Sequence, residues 1–197
     1  RETFEEAART FADLVRRIPQ DRWDGPGLGE WDLRSLVGHT SRSLLTVETY
    51  LGRPADTEDV PGPAAYYVAI ADIDPAAVAA RGRQAGQALG DNPAELVDGL
   101  AHRVLAQVDT AGNPLIQTLA GGMRLESYLS TRTFELVVHS LDIAAAVPEI
   151  EPLGFSDQLL SELVRVAATA AVLRGRGVEL LWALTGRGTL SPGFSMV

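Results

Sequence analysis

The chain has no cysteine, and although it carries 17 basic residues, none of them is lysine. Disulfides, thiol nucleophiles and every zinc finger or CxxC redox arrangement are therefore excluded, as are Schiff-base and phosphate-loop lysines. Zinc sites built from histidine and carboxylate stay open. Histidine itself is scarce, with only His39, His102 and His139 in 197 residues. Long apolar runs are missing too: the longest stretches, such as residues 166–173, fall well short of the ~20 residues a membrane span needs. Nor is there a basic run. A formal charge of −9 and a pI near 4.8 oppose nucleic-acid binding that relies on neutralising phosphates. The acidic start (Glu2, Glu5, Glu6) is unlike a signal peptide, so a cytoplasmic protein is expected.

What is present is ordinary globular material. The hydrophobic share of 46% and charged share of 22% argue against disorder and fibrous repeats. A mass of 21.0 kDa suits one hydrophobic core, so residues 1–197 are expected to form a single domain. Thr3 and Glu6 have capping-box spacing, and Phe4, Ala7, Ala8, Phe11, Leu14, Val15 and Ile18 follow at helical period; that helix should end before Pro19. Residues 24–30, rich in Gly and Pro, read as a loop that Trp23 and Trp31 pack against the rest. Asp32 should cap a second helix, residues 33–51, stopped by Gly52 and Pro54.

Further helices are predicted over 64–70, from Pro75 to about 89, and from Asn92–Pro93 to about 108. Residues 110–123 read as a loop with a short extended piece. A long helix over 125–147 follows, then one capped by Ser156 and ending near Gly175, and a last short one at 178–185. The fold class is all-α: a four-helix bundle, about residues 1–148, with additional C-terminal helices.

Tyr128, Arg132, Glu135, His139 and Asp142 fall within a sector of roughly 80° on the long helix at 100° per residue. This polar stripe borders the apolar Leu125, Leu129, Leu136 and Ile143, which draws part of it inward. His39 shares a side of the second helix with Ser35, Ser43, Thr46 and Tyr50, and Arg42 is adjacent. Unpaired buried charge costs several kcal/mol, so such a seam requires mutual pairing or a metal. Glu135 and His139, at i,i+4, are either a weak surface pair or two ligands of one ion; with His39 as a third they would complete the donors of a catalytic zinc site. His102 lies among apolar residues with no acidic partner at helical spacing and reads as a surface histidine.

Two segments resemble a known family. Trp31-Asp32-Leu33-Arg34-Ser35-Leu36-Val37-Gly38-His39 is similar to the Trp-x-x-Arg-x-Leu-Val-x-His signature of the DinB-like, mycothiol-dependent maleylpyruvate isomerase family, and Glu135 to Asp142 is similar to its Glu-x-x-x-His-x-x-Asp segment. The resemblance implies a DinB-like four-helix bundle, a divalent metal, usually zinc, on His39, Glu135 and His139, a homodimer, and a thiol cosubstrate such as mycothiol. The isomerase proper continues into a sizeable second domain past the point matching Val197, so its substrate does not transfer to this chain.

These expectations combine into a zinc- and thiol-dependent isomerase or S-transferase acting on a small molecule. Arg42 and Arg132 would hold a carboxylate of substrate or cofactor, or else form structural salt bridges to Glu48, Glu135 or Asp142. Asp142 would orient a histidine ligand. Zinc-hydroxide hydrolysis, and a non-catalytic metal-binding module of the same fold, are the rival readings.

Overall fold

The computed structural model describes residues 1–195 and is mostly helical. Helices α1 (Glu2–Arg16), α2 (Leu33–Leu51), α3 (Pro63–Ala69), α4 (Pro75–Ala88) and α5 (Pro93–Thr110) precede a hairpin, β1 (Leu115–Thr118) and β2 (Gly121–Arg124). Helices α6 (Leu125–Ala146), α7 (Asp157–Leu173) and α8 (Gly177–Leu184) follow. The fold class is all-α, as the periodicity implies.

Four helices make the bundle: α1 and α2 each pack against both α5 and α6. The apolar stripe of α1 (Phe4, Phe11, Leu14) meets Leu36 and Leu44 of α2, Val97 and Val104 of α5, and Leu136 and Ile143 of α6 in one buried cluster. Leu159, Leu163 and Val166 of α7 join that cluster, so α7 is part of the same core. Outside the bundle, α4 lies on α2, α3 lies on α6 and α7, and α8 lies on α7.

A side-chain cap sets the start of α2, α4 and α7. The Asp32 carboxylate accepts from the Ser35 N–H at 2.7 Å, the Asp74 carboxylate from Ala76 at 3.0 Å and the Ser156 hydroxyl from Leu159 at 3.2 Å, each satisfying a donor that the first turn leaves open. Asn92 holds its cap position without a side-chain bond. The Thr3–Glu6 capping box does not form. Helix α1 already begins at Glu2, because both side chains have stronger distant partners: the Thr3 hydroxyl donates to Glu162 at 2.8 Å, and Glu6 accepts from the Ser156 N–H and hydroxyl at 2.7 and 2.6 Å.

The extended piece expected within 110–123 is an antiparallel pair, with Leu115 opposite Arg124 and Thr118 opposite Gly121. It anchors the connection before α3. Ala55 N–H donates to the Leu115 carbonyl, and the Asp59 carboxylate accepts from Gly122 N–H at 2.8 Å.

Helices α2 and α4 touch backbone to backbone. A Cβ at Gly38 would stand 2.2 Å from the Gly86 nitrogen, and one at Gly82 would stand 2.7 Å from the Trp31 ring. Glycine is required on this seam by space alone.

Candidate metal centre

The polar faces of α2 and α6 meet, and α3 closes over them. Between them lies a cavity of about 670 Å³ whose wall includes His39, Arg42, Arg132, Glu135 and His139. Each helix delivers its residues by period: His39, Arg42, Ser43 and Thr46 from α2, and Tyr128, Arg132, Glu135 and His139 from α6. The seam that the sequence drew inward is thus a cavity wall.

His39, Glu135 and His139 come together, with one ligand atom from each all lying within 4.8 Å of one another. The two imidazoles meet edge to face with centroids 4.9 Å apart, and His139 Nε2 is 3.4 Å from Glu135 Oε2. His39 Nδ1 is buried with no hydrogen-bond partner among the described residues. Two imidazoles and a carboxylate converging in this way, one with an unsatisfied ring nitrogen, fit the donor set of a divalent cation.

The electrostatics show what the three groups do to one another. Burial, reinforced by the charge on His139, pushes the His39 pKa down to about 4, so His39 is neutral at pH 7 and its lone pair is available. Burial works against the charge on His139, but hydrogen bonds to Asp142 and Glu135 outweigh it and lift its pKa to about 9. For Glu135, burial is overcome by the bond to His139 and the field of Arg132, which hold the carboxyl well below its usual range. Without an ion, His139 is held in its charged form between Glu135 and Asp142.

Asp142 is where the stripe places it: its Oδ2 accepts from His139 Nδ1 at 3.0 Å. Arg132 lies over two tyrosine rings, 4.9 Å from the centroid of Tyr128 and 5.3 Å from that of Tyr66. The salt bridges considered for it and for Arg42 do not form among the described residues. Glu48 is taken by Arg103 at 3.3 Å, Asp142 by His139, and Glu135 by His139 and Tyr67. Burial opposes the charge on Arg132, yet its tyrosine and glutamate neighbours keep its pKa above the ordinary arginine value. Both guanidiniums line the cavity, and among the described residues neither has a carboxylate within salt-bridge distance; Glu135 acts on Arg132 through its field alone.

Trp23 lies in the core and Trp31 packs against it, and Trp31 stands on the cavity wall as well. Its ring is 4.5 Å from that of His39, and its indole N–H donates to the Ala79 carbonyl at 3.1 Å; the close approach of α4 through Gly82 puts it there. His102 is exposed, as read, but it does have an acidic partner one turn back: its Nδ1 is 3.5 Å from Asp98 Oδ2.

The residue that sequence reasoning missed is Tyr67. Its hydroxyl stands 2.9 Å from Glu135 Oε1 and 3.0 Å from the Thr131 carbonyl oxygen, with one proton to donate between them. The only signal was a tyrosine pair on a short helix, and nothing local says that α3 folds over α6.

An all-α, DinB-like bundle with a His-Glu-His group between its second and sixth helices defines the class of protein. Residues 4–144 match the family model described as the mycothiol maleylpyruvate isomerase N-terminal domain, and the chain belongs to that family. No curated protein and no solved structure matches it. The matched stretch holds all three residues of the group, while α7 and α8 lie outside it. No helix among the described residues is long and apolar enough to cross a membrane.

Proposed function

We propose that the chain is a metal- and thiol-dependent enzyme, an isomerase or S-transferase, in which His39, Glu135 and His139 hold zinc. The observation that carries this reading is the convergence of their ligand atoms within 4.8 Å on the wall of the cavity. Two histidines and one carboxylate are the donors of catalytic zinc sites that keep a fourth position open. Zinc held there supplies the positive charge that lowers the pKa of a thiol and makes it nucleophilic at neutral pH.

The sulfur comes from a cosubstrate, since the chain has no cysteine; family membership supports mycothiol. Asp142 accepts the Nδ1 proton of His139 and so fixes the tautomer in which Nε2 offers its lone pair on the Glu135 side. Arg42 and Arg132, neither in a salt bridge among the described residues, bind an anionic group of the substrate. Trp31, Tyr50 and Tyr128 give the cavity an aromatic wall that shields the reacting sulfur from water.

Metal analysis of the purified protein tests the ligand set. About one zinc per chain is expected, with the metal lost in His39→Ala and His139→Ala; near-stoichiometric zinc in both variants refutes it. Calorimetric titration of the zinc form with mycothiol, bacillithiol and glutathione tests the thiol. Heat from mycothiol alone is the expected result, and silence from all three thiols removes the thiol part of the reading.

A further inference from the structure

We propose that Tyr67 is a positioning residue for Glu135, and that α7, outside the family-matched stretch, is the strut that keeps it in place. The inference rests on the metal reading above. Tyr67 is 2% exposed, and its hydroxyl occupies Glu135 Oε1. The other oxygen, Oε2, is the one beside His139 Nε2. A carboxylate free to turn about its last bond can offer a cation either oxygen or both. With Oε1 engaged by a buried hydroxyl, Oε2 becomes the single donor, and the donor count of the centre is set from α3.

Seven residues cannot hold a helix by themselves, so α3 owes its position to what it packs on. Among the described residues these supports are α6 and α7. The α7 contact is built of small side chains: Ala64 of α3 lies against Ala170 and Ala171, all three buried, which lets the two backbones approach closely.

Helix α7 is itself fastened to the bundle at points remote from α3. Glu162 accepts from Thr3 of α1 at 2.8 Å and from Ser130 of α6 at 2.6 Å, and Glu6 holds the first turn through Ser156. The path runs from α1 and α6 through α7 to α3, and from α3 to Glu135. The same helix holds Tyr66 over Arg132. A shift of α7 therefore reaches both the metal ligand and the anion-binding arginine.

Cobalt(II) titration of the full chain, followed by its visible absorption, separates this inference from the reading beneath it. The wild type binds cobalt with the intense spectrum of a low-coordinate site. Tyr67→Phe, which removes one oxygen and little volume, binds about 10- to 100-fold more weakly, and its bands shift and weaken as Glu135 coordinates through both oxygens. Its metal-free form stays folded with an unchanged helical spectrum and melts a few degrees lower, as the loss of one buried hydrogen bond requires. Ala171→Leu, which forces α3 away from α7, moves affinity and spectrum in the same direction. Unchanged affinity and spectrum in Tyr67→Phe overturn the positioning role, and an unchanged Ala171→Leu overturns the strut. A wild type that takes up no cobalt overturns the metal reading itself, and this inference with it.

Discussion

Replacing Gly38 by alanine tests whether α2 and α4 are held at backbone contact. In an isolated helix the change stabilises by about 1 kcal/mol, since glycine is the poorer helix former. Here the added Cβ would sit 2.2 Å from the Gly86 nitrogen and 2.5 Å from the Ala85 carbonyl carbon. Backbone atoms cannot rotate aside as a side-chain tip can, so the helices must separate along their seam, an overpacking cost of about 3 kcal/mol. The net loss is about 2 kcal/mol, which for a chain of this size lowers Tm by roughly 4–8 °C.

Gly99 on α5 is the control. The nearest atom to its Cβ would be the mobile Arg103 Nη1 at 3.6 Å, so Gly99→Ala keeps most of the propensity gain and raises Tm by about 2–3 °C. Urea or thermal unfolding followed by helical circular dichroism reads both variants. A Gly38→Ala protein as stable as Gly99→Ala would refute the close seam, and with it the account of how α4 brings Trp31 to His39.

Other expectations follow from the site and from the docking of α7. In the metal-free protein the raised His139 pKa stabilises the fold fully below about pH 6.5, and that contribution is lost as the pH climbs through about 9. The lowered His39 pKa acts oppositely on the acid side, its contribution being lost as the pH falls from about 6.5 through about 4. The metal-free Tm should therefore peak near pH 6.5 and fall on both sides, and a Tm that rises steadily from pH 6.5 to 9 would contradict the charge states assigned. Asp142→Ala, which removes the acceptor of the His139 Nδ1 proton, should weaken zinc binding about 10- to 100-fold in a chelator competition; full affinity would show that the His139 tautomer needs no acceptor. Ser156→Ala removes a helix cap and a partner of Glu6, and should cost about 1–2 kcal/mol in urea denaturation. A loss below a few tenths would mean that the start of α7 is held by its apolar face alone.

Legibility followed the range of the interaction. Asp32, Asp74–Pro75 and Ser156 act on donors two or three residues away, and helix period alone aligns Glu135 with His139 and Asp142, so these features could be read from the residues in order. The inward turn of that stripe was readable as well, because burying charge without partners is costly. Contacts across the chain were not. Thr3 and Glu6 carried a local capping signal and were drawn off by Glu162 and Ser156, more than a hundred residues away. The one-turn pair of Asp98 and His102 was within reach of the same periodicity and was overlooked.

By itself the sequence determined the helices, their polar faces and the alignment of Glu135 with His139, because these depend on steric and hydrogen-bonding rules that operate within a few residues; His39, on another helix, joined them as a candidate ligand through its polar stripe and the family resemblance. Tertiary structure alone decided that Trp31 stands over His39, that Arg42 and Arg132 form no salt bridge among the described residues, and that Tyr67 reaches Glu135 from a helix packed on α7. Those outcomes depend on how closely helices distant in the chain approach, and that distance is set jointly by Gly38, Gly82 and Gly86 on one side of the site and by Ala64, Ala170 and Ala171 on the other.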